Sequence, residues 1–475
     1  MPLILSGNVA TATASTVYDV ANSCRFNDGD SAYVHKTCGS AFDTDKWTIS
    51  LWCKRSALGI ETRLVSCDNA DGSDDDFLKF DANDNIEFTI YGSSSYVGAL
   101  KTNAVYRDPS AWYHIVAVWD SANGTAGNRM RLYVNGTEVT SFATDTNPSS
   151  GANATFGNTS HPIEVGRRGS ATNQYWDGYL AEVAVCDGQA YAASDFGEFD
   201  SDSPTIWKPK DVSGLTFGTS GFYLDFEDSA NLGNDANGGT DFTTSGLAAA
   251  DQASDSPTNN FCTGNPLAIF VGAGPVFSEG NTVMTAPISG PPYDVSTVGT
   301  LGMSKGKFYW ECKWTYGGAA SNQALYLGIV ATNQPMASGS TMKDNTSYNN
   351  VVYAPNGGDL RKNGADVGTD YAGSVDSIFG FALDLDNGTL KIHENGTYFN
   401  SGTAVVTSIT EDTYVPLLAP NGGPTNSIIS ANFGGCSGFT VSSGNADADG
   451  YGNFEYAVPS GYYALCTKNI GAYGG

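Results

Sequence analysis

The stretch WTISLWC, residues 47–53, sets the fold class. Trp47, Ile49, Leu51 and Cys53 fall on one side of an extended chain, and Thr48, Ser50 and Trp52 on the other, the period of two that a strand imposes. Outward along the chain the same signature returns. In IEFTIY (86–91), Ile86, Phe88 and Ile90 alternate with Glu87, Thr89 and Tyr91. YHIVAVW (113–119) is apolar on both sides, as a strand covered on both faces is. In MRLYVNG (130–136), Met130, Leu132 and Val134 run into Asn135-Gly136, a dipeptide suited to the positive φ angles of a type I′ turn. WDGYLAEVAVCDGQ (176–189) is a further strand bounded by turns.

Between about 200 and 270 turn residues dominate, in DSDSPTIWKPK, DANGGTDFTTSG and DSPTNNFCTGNP, with a short strand-like GFYLDFED among them. A second strand-rich region begins near Tyr293. It contains GKFYWECKW (306–314), ALYLGIV (324–330), IFGFALDLDNG (378–388) and TLKIHENG (389–396), where Phe379, Phe381, Leu383 and Leu385 share a face. Asn387-Gly388 and Asn395-Gly396 are two more hairpin signals. VPLLAP, IISANFGG and GYYALC complete the set. No helical period of useful length and no internal repeat is present, so the chain is expected to be all-β with almost no helix.

Composition agrees. Of 475 residues, 57 are Gly and 18 Pro, which supplies many turns, and only 15% are charged, against about 25% in an average domain. The 23 Lys and Arg against 50 Asp and Glu leave a net charge of −27. Such a surface repels phosphate backbones and anionic lipid, which argues against nucleic acid and against membrane contact. No apolar run reaches the length of a membrane span, so no membrane insertion is expected. The opening MPLILSGNVATATAS has neither a basic stretch nor an apolar core of signal-peptide length, and the reading expects synthesis in a cytosol. The nine cysteines include pairs at a spacing of 14 (Cys24 with Cys38, Cys53 with Cys67), and reduced core thiols are the expected state.

Two stretches resemble known families. Residues 24–200 resemble the laminin-G-like, concanavalin-A-like jelly roll, carried by WTISLWCKR (47–55), DPSAWYHIVAVWD (108–120), RMRLYVNGTEV (129–139) and GYLAEVAVCDGQ (178–189). The longer stretch 24–266, with FGEFD, IWKPK, GFYLDF and DSPTNNF, also resembles virion proteins of tailed phages, notably marine ones. Residues 293–467 resemble a SPRY domain through GKFYWE (306–311), YLGIV (326–330), FALDLDNGTLKIHENGTYF (381–399), VPLLAP, ANFGG (431–435) and PSGYYAL (459–465). These resemblances imply two β-sandwich (jelly-roll) domains in series. The expected organisation is an extended N-terminal arm at 1–23, the laminin-G-like sandwich at 24–200, closing strands and linker at 201–292, and the SPRY-like sandwich at 293–475. They also imply binding and scaffolding rather than catalysis, although fold alone does not fix function.

The residues themselves offer no catalytic set. Concanavalin-like glucanases carry an E-x-D-x-x-E acid pattern, and EFDSDS supplies only Glu198 and Asp200, with Ser203 at the last position. There is no nucleophile elbow, P-loop, H-E-x-x-H or C-x-x-C. His35, His114, His161 and His393 are scattered, and His114 sits in an apolar strand. The most credible ion is Ca²⁺, which takes clustered oxygen ligands. The candidates are the loop DNADGSDDD, with Asp71, Asp74, Asp75 and Asp76, and the loop NADADGYGNFEY, with Asn445, Asp447 and Asp449. A glycan surface would need aromatic platforms beside planar polar groups. Asn173, Gln174, Tyr175 and Trp176 in GSATNQYWDG meet that need, as do Asn345, Tyr348 and Asn349 in SGSTMKDNTSYNN. The reading expects no enzyme. It expects a structural protein on the outside of a tailed-phage virion, made in the host cytoplasm and displayed on the virion surface. A tail fibre or tail-associated adhesin contacting host surface glycans is the first expectation. A capsid decoration or head fibre is the second, and a lectin or polysaccharide-degrading enzyme the rival. The expected partners are other virion proteins and further copies of the chain, with a homotrimer favoured.

Overall fold

WTISLWC lies within the strand Lys46–Arg55, in the middle of an antiparallel sheet. The computed structural model describes residues 3–4, 18–169, 173–269, 274–287, 295–316, 325–334, 339–410, 412–420 and 427–474. Strand makes up 42% and helix 6%. The fold is all-β, and the helices among the described residues are short: Ala193–Phe196, Gly339–Asp344 and Thr467–Tyr473.

The chain forms two units, Ser15–Thr258 and Asn259–Gly475, the second of which also takes in Met1–Ala14. The division therefore differs from the expected boundaries at 200 and 292. The turn-rich 201–258 stretch closes the first unit, because its few apolar residues (Val212, Phe217, Phe222, Phe242) are buried in that unit's core clusters. Of the expected arm, Ile4 forms a parallel bridge to Leu301 in the second unit, and residues 5–17 lie outside those described.

In the first unit one sheet runs, edge to edge, through Thr137–Glu138, Met130–Val134, Trp112–Asp120, Lys46–Arg55, Gly178–Asp187, Ser23–Phe26 and Gln252–Ala253, with Phe222–Leu224 also paired to Gly178–Asp187. The other runs through Phe142–Thr146, Ser95–Val105, Asn85–Gly92, Asp75–Phe80, Thr62–Asp68, Pro162–Val165, Tyr33–Thr37 and Thr243–Ser245. Alternation puts Trp47, Ile49, Leu51 and Cys53 of the first sheet into one buried cluster with Leu64, Leu78, Phe88 and Ile90 of the second. At its centre the Trp47 ring stacks on Phe156 at 4.7 Å. The outward residues of the first sheet are buried as well. Val116, Val118, Ala184 and Cys186 are covered by Ala193, Phe196, Val212 and Phe217, which is why YHIVAVW is apolar on both sides. Asn135 (φ 47°) and Gly136 (φ 76°) form the expected turn. A Cβ on Gly136 would stand 2.2 Å from the Trp207 ring, so only glycine fits there.

The second unit pairs Val276–Ser278, Val283–Thr285, Ser427–Asn432, Lys307–Tyr316, Ile378–Asp384, Thr389–Glu394 and Thr397–Tyr398 in one sheet, with Tyr463–Ala464 parallel to Lys307–Tyr316. Its other sheet runs Thr297–Val298, Tyr414–Ala419, Tyr326–Ala331, Asn350–Ala354, Asp359–Lys362 and Ala365–Asp366. Trp310 stacks on Phe381 at 5.4 Å in the shared core, with Phe379 and Leu383 beside them as the alternation requires. Asn395 and Gly396 close a two-residue turn at positive φ. Asn387-Gly388 ends a four-residue loop between Asp384 and Thr389, where only Gly388 takes positive φ. The nine cysteines are thiols, not disulfides, and eight are buried. Burial raises the Cys186 and Cys466 thiols to about 12, which keeps them protonated and unreactive.

Candidate functional site: an ion-paired aromatic face

The outward side of the second sheet of the first unit is polar, and residues 166–169 and 173–176 lie against it. The structure brings two of the sequence candidates together there. The Arg63 guanidinium sits over the Phe77 ring, 3.9 Å from its centroid, and forks onto Asp75 with bonds of 2.7 and 3.0 Å. Its Nε donates to Gln174 Oε1 at 2.9 Å, and its backbone N–H donates to the Gln174 carbonyl at 2.9 Å. Arg168 reaches Asp75 at 3.1 Å and Asp68 at 3.5 Å, and its N–H donates to the Asn173 carbonyl. One guanidinium thus ties Asp75 to Gln174, which stand 99 positions apart. These bonds hold Gln174 at φ 56°, a left-handed conformation that a non-glycine residue adopts only when its surroundings fix it.

Beside this, Arg167 forks onto Glu164 and lies over the Tyr33 ring at 3.4 Å. Tyr33 stands 5.4 Å from His35 and 6.5 Å from Tyr175, ring to ring. Asn173 is exposed, and Tyr33, Gln174, Tyr175, Arg167 and Arg168 are half-buried. The result is a ledge of two tyrosines and two guanidiniums, each paired with a carboxylate. Rings take the apolar face of a sugar, and planar polar groups take its hydroxyls. Trp176 corrects the expectation: it is 1% exposed and stacks on Phe80 in the core at 5.8 Å, so it offers no platform. Its inward position follows from strand alternation two residues before Gly178.

The carboxylates of the acidic loop have protein partners in this fold. Asp76 is fully buried and accepts from Tyr91 N, Thr155 N and Thr155 Oγ1 at 2.9, 2.8 and 3.0 Å. Asp75 faces two arginines, Asp74 accepts from Ser93 N at 2.9 Å, and Asp71 from Ser73 N at 2.9 Å. In the other loop Asp447 accepts from Asp449 N, Tyr451 N, Ala464 N and Asn469 Nδ2, all within 2.9 Å. Asp449 accepts from Tyr473 Oη at 2.8 Å, and Asn445 donates its amide to the Phe454 and Glu455 carbonyls. Among the described residues no group of three or more His, Cys, Asp or Glu side chains is placed to hold a metal.

In the second unit Asn345 caps a turn through Ser347 N. Tyr348 is 8% exposed and packs with Met342 and Val352, so it is not a platform either. Asn349 is bound on both amide atoms, to Asp412 at 3.1 Å and to Thr410 at 2.9 Å. The Glu198 and Asp200 pair also has a structural use: both carboxylates face Lys208, at 3.3 and 3.5 Å, across the small ladder of Gly197–Phe199 with Trp207–Pro209.

One feature went unread in the sequence. In YGSSSY (91–96), Ser93 (φ 52°) and Ser94 (φ 61°) make a hairpin turn with no Asn or Gly at its centre. Bonds from Ser93 N to Asp74 and from Ser94 N to Ser73 O (2.8 Å) hold it. The turn presents Tyr96, 66% exposed, edge-on to Tyr91 at 5.1 Å. The signal available was the tyrosine at each end of a serine run.

The interior of this unit sets a pH dependence. Burial raises Asp76 to about 7, against the three donors that face it. Burial also raises Glu182 to about 7; it sits at positive φ (52°) in the bulge of Gly178–Asp187 and accepts from Tyr223 and Tyr18 at 2.7 and 3.1 Å. Raised carboxyls contribute stability that is complete below the unfolded value of about 4 and is lost as pH rises through about 7. Buried His114 is lowered to about 3, with Trp207 Nε1 donating to its Nδ1 and Ser50 at its Nε2. Its contribution is present above about 6.5 and is lost as pH falls. Asp71 and Asp200, held low by the backbone N–H groups of Ser73 and Ser203, lose theirs in acid. The two raised carboxyls outweigh one imidazole, so the thermal midpoint of this unit should rise from pH 8 to about pH 5 and fall below that. A midpoint that climbs steadily from pH 5 to pH 8 in scanning calorimetry would refute this assignment.

Residues 28–193 match the family model of the concanavalin A-like lectin/glucanases superfamily. That span holds all of the ledge. No curated protein matches the chain. Among solved structures the chain is similar to the SPRY domain of human HERC1, at 11% identity over 35% of this chain and 96% of that one, with a TM-score of 0.29. It is similar to the native heptameric SAP-like pentraxin from Limulus polyphemus, at 14% identity over 37% and 80%, with a TM-score of 0.27. It is also similar to the TRIM65 PSpry domain, at 12% identity over 36% and 90%, again with a TM-score of 0.27.

Proposed function

We propose that this chain is an outer structural protein of a tailed-phage virion, a tail fibre or tail-associated adhesin, whose first unit contacts saccharides of the host surface. The observation that carries the saccharide reading is the ledge of Tyr33 and Tyr175 beside Arg167, Arg168 and Asn173, rigidified by Glu164, Asp75 and Asp68. A concanavalin A-like lectin/glucanase match over the same residues supports it. The resemblance of 24–266 to tailed-phage virion proteins supports the location, and the charge of −27 suits an outer surface rather than one facing packaged DNA. The chain acts by binding: Glu198 and Asp200, the nearest approach to a hydrolytic acid pair, are both engaged with Lys208.

The test is a microarray of bacterial surface polysaccharides probed with the full chain, with reducing-sugar release followed in parallel. Binding to a subset of saccharides, no release, and at least a tenfold loss in Tyr33→Ala and Tyr175→Ala are expected. Absence of binding across the array would reject the saccharide reading, and release of reducing sugar would make the chain a depolymerase.

A further inference from the structure

Where the chain crosses between the two sheets of the first unit, at their Thr137–Glu138 and Phe142–Thr146 edges, a cleft of about 170 Å³ opens. Its lining combines Met130 and Phe142 with Arg131, Glu138 and Asp145. Gly98 shapes it: a Cβ there would stand 2.4 Å from Met130 Sδ, so the glycine lets that sulfur reach across. Arg131 is unlike most cations of this acidic chain. Its guanidinium donates to Tyr133 Oη at 3.0 Å, and its Nε is buried without a hydrogen-bond partner. Asp145 is oriented by the Asn147 amide, which donates to it at 3.0 Å.

We propose that this cleft is a second saccharide site, which takes a single neutral sugar residue. The inference rests on the saccharide reading above and extends it to a place outside the ledge. The volume admits one ring and is below the range of sites for larger ligands. Two carboxylates and one guanidinium carry a net negative charge, which disfavours uronates and phosphates and suits hydroxyl groups. The carboxylates accept from hydroxyls and the guanidinium donates to them. Half-buried Phe142 supplies the apolar surface for the C–H side of the ring, with Met130, 2% exposed, behind it.

The experiment is ligand-observed NMR on the full chain with methyl glycosides of glucose, galactose and mannose, and with glucuronate and inorganic phosphate as anionic probes. At least one neutral glycoside should bind, with a tenfold or greater loss in Arg131→Gln and in Thr140→Trp, the latter an exposed position that occludes the cleft without touching the core. Tyr175→Ala, which alters the ledge alone, should leave intact the part of the signal that Thr140→Trp removes. Loss in Tyr175→Ala but not in Thr140→Trp would overturn the cleft while leaving the ledge as the binding site. Absence of any neutral glycoside signal, with array binding retained, would overturn the cleft alone. Absence of both would overturn the cleft and the saccharide reading together. Preference for glucuronate or phosphate would overturn the assignment of a neutral ligand.

Discussion

Replacing Asp255 with alanine should destabilise the first unit by about 3–5 kcal/mol, the cost of stripping one partner from a buried ion pair. Asp255 Oδ2 lies 2.6 Å from Lys54 Nζ, both side chains are 1% exposed, and Asp255 Oδ1 accepts from Trp112 Nε1 at 3.1 Å. Lys54 is the last outward residue of the strand Lys46–Arg55, which contains WTISLWC, and Asp255 comes from a stretch rich in turn residues. The pair therefore pins the closing segment to the first sheet. Urea unfolding followed by tryptophan fluorescence reads this directly, because Trp47, Trp52, Trp112, Trp119, Trp176 and Trp207 are six of the eight tryptophans. Changing both partners, Lys54→Met with Asp255→Leu, should recover most of the loss, since neither charge is then stranded. A loss below about 1 kcal/mol in Asp255→Ala would contradict the role given to the pair.

In the second unit, Glu311→Ala should cost about 4 kcal/mol, because it removes the acceptor of several buried donors. Gly396 N–H donates to His393 Nδ1 at 3.1 Å, which places the ring proton on Nε2. Nε2 donates to Tyr309 Oη at 2.8 Å, and Tyr309 donates to Glu311 at 2.9 Å. Glu311 also accepts from the backbone of Glu455 at 3.0 Å and Tyr456 at 2.8 Å, and from Asn432 at 3.3 Å. Burial raises the Glu311 carboxyl and lowers His393 to about 4, so the imidazole stays neutral near pH 7. Gly380 tests the same chain from the other side: a Cβ there would stand 1.9 Å from His393 Nε2, and Gly380→Ala should cost about 2–3 kcal/mol by overpacking. Scanning calorimetry of the full chain checks both. An unchanged transition in Glu311→Ala would show that the network adds nothing.

Much of the fold was legible because period-two alternation is a local signal. Lys46–Arg55, Asn85–Gly92, Trp112–Asp120 and Ile378–Asp384 all lie where the alternation put them. The boundary at 258 was not legible, since the residues that close the first unit are few apolar side chains spread through a turn-rich run whose destination depends on long-range packing. The candidate site was half legible. Gln174 and Asp75 were each visible as polar loop residues, but the arginine joining them belongs to a strand that offered no motif. Arg63 and Arg168 also give Asp75 of the acidic loop ion-pair partners that the loop sequence does not reveal. Trp176 looked like a platform because a loop sequence does not reveal which side of the next strand its last residue faces.

We propose that this chain stands on the outside of a virion and meets the host there. The most direct test is electron microscopy of intact tailed-phage particles labelled with an antibody to the full chain. Label is expected at the tail or its tip. Label spread over the head would contradict the tail placement and make the chain a capsid decoration, and particles without label would contradict the account itself.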